Sequence, residues 1–221
     1  MALNNFRFAF GTFNAQSLDA SGLNAHESSR PRIFLLDHVI CDHRLDLFHI
    51  QETGRFGDVR RFFFPDLHHA VSSVGEIAHH SIATFYNPGT LVHVSSSILE
   101  EGRASTSIFR SKKCPEKVLV SVNVYGYAGN SRVDRQGQTN LLNSIGNSIN
   151  DCKVNFPDSH FILAGDWNAD FFKNASPKAR ELREFMVTHN LFETSLEVES
   201  TWRAKRGDNF STSKLDHIFF D

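Results

Sequence analysis

At 221 residues and 25.0 kDa the chain is long enough to bury one sizeable core, and 40% hydrophobic against 22% charged residues excludes a disordered chain. Lys and Arg number 23 against 25 Asp and Glu, a net charge of −2, so no global basic field marks a nucleic-acid binder and any such contact must rest on local patches. No apolar run approaches membrane-spanning length and the N-terminus lacks the charged-then-apolar layout of a signal peptide, so an intracellular protein without membrane contact is expected.

The chain opens with a partly alternating stretch, Phe6 to Phe13, with Phe6, Phe8 and Phe10 on one face, which predicts a strand stopping near Gly11-Thr12-Phe13-Asn14. Residues 19–31, rich in Ser, Asn, Gly and Pro, read as a loop. From Arg32 to Asp42 the apolar residues Ile33, Leu36, Val39 and Ile40 fall at helical spacing. Leu45 to Ile50 predicts a second strand that runs into Gln51-Glu52-Thr53. Strand, helix, strand suggests a βαβ unit, whose ligands gather at the carboxyl ends of strands. Residues 54–80 are expected to be irregular.

Three strands are expected next, at Ser81–Tyr86, Leu91–Ser97 and Ala104–Phe109. Val118 to Tyr125 is the clearest strand, with Val118, Val120, Val122 and Val124 on one face. Leu141, Leu142, Ile145 and Ile149 form the apolar stripe of a helix from about Gln138 to Lys153. Phe161-Ile162-Leu163-Ala164 reads as a short buried strand, broken by Gly165, that presents Asp166-Trp167-Asn168. Ser176-Pro177 supplies an N-cap and first-turn proline to a helix through Leu182, Phe185 and Met186. Trp202 to Gly207 reads as a basic loop and Leu215 to Phe220 as the last strand. Cys41, Cys114 and Cys152, an odd count with no C-x-x-C pair, argue against a disulfide framework.

Several strands thus end or begin in polar groups: Asn14, Glu52, Tyr125, Asp166, Asn168 and Asp216. Carboxylates and amide oxygens are the ligands of a hard cation such as Mg²⁺. A phosphodiester needs its charge neutralised, a water oriented and its leaving group assisted, and the inventory fits those needs. Each residue also has a bland reading: Asp166 and Asn168 in an Asx-type turn, Asn14 at a strand-end turn, Glu52 as a helix cap, Tyr125 in the core. Their repeated placement after apolar strands favours a site. His68-His69 and His79-His80 lack thiolate partners and zinc-ligand spacing, and are expected to be surface or partly buried histidines.

The ordered motifs Thr12-Phe13-Asn14, Ile50-Gln51-Glu52-Thr53, Val122-Asn123-Val124-Tyr125, Gly165-Asp166-Trp167-Asn168 and Ser213-Lys214-Leu215-Asp216-His217 resemble the endonuclease/exonuclease/phosphatase (DNase I-like) family. Within it the chain looks most like the apurinic-type endonuclease domains of non-LTR retrotransposons, and Thr201-Trp202 ahead of a basic stretch is similar to their pattern. The resemblance spans 1–221 and implies an α/β fold: a four-layer sandwich of two mostly antiparallel sheets flanked by helices, lacking the family's last strand. It implies that Glu52 holds Mg²⁺ with Asn14 and Asp166, that Asp166 also orients and deprotonates the attacking water, and that Asn168 fixes that geometry. Tyr125 would contact the phosphate and Asp216 would hold a histidine. Thr201, Arg203, Lys205, Arg206 and Ser213 would meet DNA.

In the family that histidine lies in a Ser-Asp-His motif on a further strand, which this sequence does not reach. His217 follows Asp216 on a strand and so should face the other way. The expectation is a C-terminally shortened Mg²⁺-dependent phosphodiesterase, a DNA-nicking endonuclease that cleaves poorly or not at all. It would act in the nucleus, as a monomeric domain or as part of a longer polyprotein with reverse transcriptase. The alternatives are an inactive remnant or nucleic-acid-binding domain, and a phosphoesterase of the same family acting on small phosphoesters.

Overall fold

The computed structural model describes residues 8–15, 36–54, 64, 66–76, 80–172, 176–194, 201–206 and 209–221, the strands within 202–213 by their backbone alone. In chain order the strands are β1 (Phe10–Asn14), β2 (Leu47–Gln51), β3 (His68–Val74), β4 (Ser81–Tyr86), β5 (Leu91–Glu100), β6 (Ala104–Ser111), β7 (Val118–Tyr125), β8 (His160–Asp166), β9 (Phe192–Glu193), β10 (Trp202–Arg206), β11 (Asn209–Ser213) and β12 (Asp216–Phe220). The helices are α1, described over 36–43, α2 (Arg132–Asn155) and α3 (Pro177–His189).

Two mixed sheets carry the fold, one ordered β1-β2-β4-β3 and the other β5-β6-β7-β8-β12-β9, beside a two-stranded hairpin of β10 and β11. Among the described strands, only β1 with β2 and β7 with β8 pair in parallel. Each of those pairs is bridged by a helix, so the local βαβ expectation and the mostly antiparallel sandwich both hold. Leu47, Leu91, Phe109, Leu119 and Ile162 fill the space between the sheets. Leu36 and Ile40 of α1 pack with Phe48, Ile50 and Phe85 on the outer face of the smaller sheet. Leu141, Ile145 and Ile149 of α2 and Leu182, Phe185 and Met186 of α3 pack with Val120, Val122, Leu163 and Phe219 on the outer face of the larger one. These are the four layers of an α/β sandwich.

The structure moves several boundaries. Residues 54–80 contain β3, whose register slips between His69 and Val71, so its sequence keeps no clean period of two. Helix α2 starts six residues before the expected Gln138, at a capping box in which Ser131 and Asp134 satisfy each other's backbone N–H groups. Its first turns face water and carry no apolar stripe, so periodicity does not reveal them. The basic stretch is β10 of the hairpin, not a loop. Gly165 does not break β8: it pairs with Val124 on one side and His217 on the other, with φ of 147°, and an added Cβ would lie 2.0 Å from the Val124 carbonyl oxygen. Glycine is needed there so that the strand can continue one residue further, to Asp166.

Candidate active site

Strand register places the polar ends of three neighbouring strands side by side. Asp166 closes β8, with Tyr125 of β7 as its parallel partner and Asp216 of β12 as its antiparallel partner. In-register partners share a face, so all three lie on the face toward the smaller sheet. From that sheet, Asn14 ends β1 and Glu52 follows the last residue of β2.

The Asn14 side-chain amide joins the two sheets. Its Nδ2 donates to Glu52 Oε1 at 2.8 Å and to Asp166 Oδ2 at 2.8 Å. Tyr125 Oη donates to the same Glu52 Oε1 at 3.0 Å. Asp166 Oδ1 accepts the backbone N–H of Asn168 at 2.9 Å, while the Asn168 side chain donates to the Gly126 carbonyl at 3.0 Å. Asn168 therefore holds Asp166 through its main chain. Glu52 and Asn168 sit at φ of 54° and 48°, a conformation that costs a non-glycine residue about 1 kcal/mol and that clusters at functional sites.

Electrostatics follow from the crowding. Asp166 is 6% exposed, and burial, then Asp216 and then Glu52, raise its pKa to about 7 against the hydrogen bonds from Asn168 and Asn14. Burial also raises Asp216, opposed first by its bond with the Thr201 hydroxyl. Burial and the adjacent Glu52 carboxylate keep the Tyr125 phenol protonated far above its ordinary range.

The donor set fits a hard cation. Among the described residues no three His, Cys, Asp or Glu side chains stand close enough to cage an ion by themselves. Glu52 and Asp166, tied to one amide, are instead a small carboxylate set of the kind that suits Mg²⁺, an ion that keeps several of its waters. Burial first, and then the neighbouring Asp216 and Glu52 carboxylates, raise the Asp166 pKa, and a cation at this point would offset that cost.

The other residues that the sequence singles out separate into four groups. Thr201 is exposed, and its hydroxyl accepts the backbone N–H groups of Leu215 and Asp216 at 2.9 and 3.1 Å, so it is engaged in holding the start of β12. Arg203, Lys205, Arg206 and Ser213 lie on the hairpin, their side chains outside the described residues. His217 points away from Asp216: it is 1% exposed, with Nδ1 3.2 Å from Glu193 Oε1 and Nε2 3.0 Å from the Ala169 carbonyl. Of the paired histidines, His68 is exposed and His69 half-buried, His79 lies outside the described residues, and His80 is held by Arg103.

Sequence reasoning passed over the polar links between the sheets behind the site. Gln51 Nε2 donates to Asn123 Oδ1 at 2.7 Å, and Asn123 Nδ2 donates to the Ala83 carbonyl at 2.8 Å. His49 Nε2 meets Ser121 Oγ at 2.7 Å. Polar residues at alternate positions of an otherwise apolar strand, His49 and Gln51, were the available signal. Arg103 had none, because it lies in a turn without periodicity.

No family model matches the sequence, and no curated protein does. Solved structures do match. ANGEL2, a 2',3'-cyclic phosphatase, superposes with a TM-score of 0.73 at 14% identity, over 99% of this chain and 85% of that one. An endonuclease/exonuclease/phosphatase from Bacteroides vulgatus gives 0.67 at 18% identity, over 96% and 86%. The endonuclease domain of TRAS1, a telomere-specific non-LTR retrotransposon, gives 0.57 at 14%, over 83% and 76%. With its two mixed sheets between helical layers, the chain has the fold of the endonuclease/exonuclease/phosphatase proteins.

Proposed function

We propose that the protein is a Mg²⁺-dependent phosphodiester hydrolase, and that its substrate is DNA, which it nicks. The observation that carries this reading is the Asn14 amide bridging Glu52 and Asp166, two carboxylates from different sheets brought to one point. Glu52, Asp166 and Asn14 would hold the cation, which when bound neutralises charge on the phosphoryl oxygens.

The chain's own groups supply the rest. The Asp166 carboxylate, oriented by Asn168 N–H and the Asn14 amide, accepts a proton from the attacking water. The water oxygen bonds to phosphorus as the phosphorus–oxygen ester bond breaks, and the departing oxygen takes a proton from solvent. The Tyr125 phenol, held as a donor by Glu52, would contact the phosphate. Arg203, Lys205 and Arg206 on the hairpin next to β12 would contact DNA phosphates. Such a role belongs in the nucleus, and a retrotransposon polyprotein with reverse transcriptase is the setting this reading suggests. A second reading, hydrolysis of a small phosphoester, draws on the likeness to ANGEL2.

A supercoiled-plasmid assay with Mg²⁺ tests both. Nicking that is lost in Asp166→Ala and Glu52→Ala supports the first reading. Turnover of a nucleoside 2',3'-cyclic phosphate without nicking supports the second, and neither activity at any Mg²⁺ concentration leaves an inactive domain. Mg²⁺ should also raise the melting temperature of the wild type, because a ligand of the native state stabilises it. A rise that persists in Glu52→Ala would place the cation elsewhere.

A further inference from the structure

One buried cation, Arg103, stands behind the site. Arg103 ends the Glu101-Gly102-Arg103 turn between β5 and β6. Gly102 has φ of 65°, and a Cβ there would meet the His80 carbonyl oxygen at 2.1 Å, so the turn is closed tightly over that segment. Arg103 is 6% exposed, and none of the ion pairs among the described residues involves it.

Its donors are spent on the site's scaffold. Nη1 donates to the Gly126 carbonyl at 2.8 Å and to the Tyr125 carbonyl at 3.4 Å. Nη2 lies 2.7 Å from His80 Nε2. The guanidinium carbon stands 4.9 Å from the Tyr125 ring centroid and 4.2 Å from that of Tyr127. The Arg103 carbonyl accepts the Tyr125 N–H at 2.7 Å. Gly126 is a junction, since its carbonyl also accepts the Asn168 side chain at 3.0 Å. One planar group therefore fixes the residue that donates to Glu52 and, through one shared carbonyl, the residue that orients Asp166. A lysine could supply the charge but not the fork and the stacking faces together.

We propose that Arg103 is a positioning residue for the active site, setting the Tyr125 ring and the Asn168 amide. This rests on the phosphodiesterase reading above. Misplacement of reacting groups by a fraction of an ångström to an ångström costs up to about 100-fold in rate. Arg103→Lys should lower kcat toward bis(p-nitrophenyl) phosphate by roughly 10- to 100-fold with KM within about twofold.

Three readouts separate this from a merely structural role. In a Tyr125→Phe background the Arg103→Lys loss should shrink, because residues acting as a unit are not additive. By NMR, the Asn168 side-chain amide and the Gly126 N–H should shift and exchange faster in Arg103→Lys, while the Leu141 and Ile145 amides of α2 keep wild-type protection. Arg103→Met, which keeps an apolar stem between the two rings, repeats both measurements if the lysine variant does not fold. Wild-type kcat in the variants, losses that multiply, or unchanged Asn168 and Gly126 resonances would overturn the proposal. A wild type without hydrolysis sinks the phosphodiesterase reading alone, and the resonances still decide whether Arg103 holds Asn168.

Discussion

Asp166 is the residue on which the site's chemistry and its instability meet. Its folded pKa of about 7 lies above the ordinary 3.8, so the folded state holds a proton that the unfolded state has released. The stability linked to that proton is fully present below pH 3.8 and is lost as pH rises through 7. At 1.36 kcal/mol per pKa unit the full loss is on the order of 4 kcal/mol. Asp166→Asn keeps the size and one of the two acceptor oxygens without the charge. In EDTA it should raise the melting temperature at pH 8 by roughly 5–10 °C, with a smaller gain at pH 5. An equal gain at both pH values would mean that the carboxylate is not the strained group. Removing the base should at the same time abolish hydrolysis.

Elements set where that carboxylate stands. Strand β8 reaches Asp166 only because Gly165 accepts a backbone conformation closed to other residues. Gly165→Ala should destabilise the protein by more than about 3 kcal/mol in urea unfolding, since a Cβ 2.0 Å from a carbonyl oxygen forces the β7–β8 pairing apart. A loss under about 1 kcal/mol would show that the strand relaxes freely. The β10–β11 hairpin presents Arg203, Lys205 and Arg206 on one short strand. Replacing all three by Glu should cut plasmid nicking by at least about tenfold at low salt while hydrolysis of bis(p-nitrophenyl) phosphate stays within about twofold. Equal losses on both substrates would tie the hairpin to the chemistry and not to DNA.

At the scale of the molecule, the site exists because two sheets are held in one register. His49 lies between them, fully buried, with Nδ1 3.3 Å from the Ala164 carbonyl and Nε2 2.7 Å from Ser121 Oγ. Burial lowers its pKa to about 3, against a small opposing effect of the Ala164 bond. A depressed histidine contributes stability above the unfolded value of 6.5 and loses it as pH falls toward 3, a change on the order of 5 kcal/mol. This slope opposes that of Asp166, so the two overlap between about pH 4 and 6.5. His49→Gln, whose amide can donate to one partner and accept from the other, should flatten the acid side of the stability profile in urea melts. A profile of unchanged slope would assign acid sensitivity to other groups.

What the sequence determined by itself was local and periodic. The alternating valines of Val118–Tyr125, the stripe of Leu141, Leu142, Ile145 and Ile149, and the Ser176-Pro177 start of α3 all appear where pattern and propensity place them. The motif order around Asn14, Glu52, Tyr125, Asp166 and Asp216 carried the resemblance on which the fold was expected. Tertiary structure decided the remainder. The β3 strand and the β10–β11 hairpin exist through cross-strand pairing, and the bulge in β3 and the polar, basic sequence of β10 leave no apolar period of two to mark them. The meeting of Asn14 with Asp166, 152 residues apart, depends on two sheets packed face to face. So does the placement of Arg103 between two tyrosine rings, because a buried cation is tolerated only where carbonyls and ring faces converge on it, and that convergence is a property of the packed molecule.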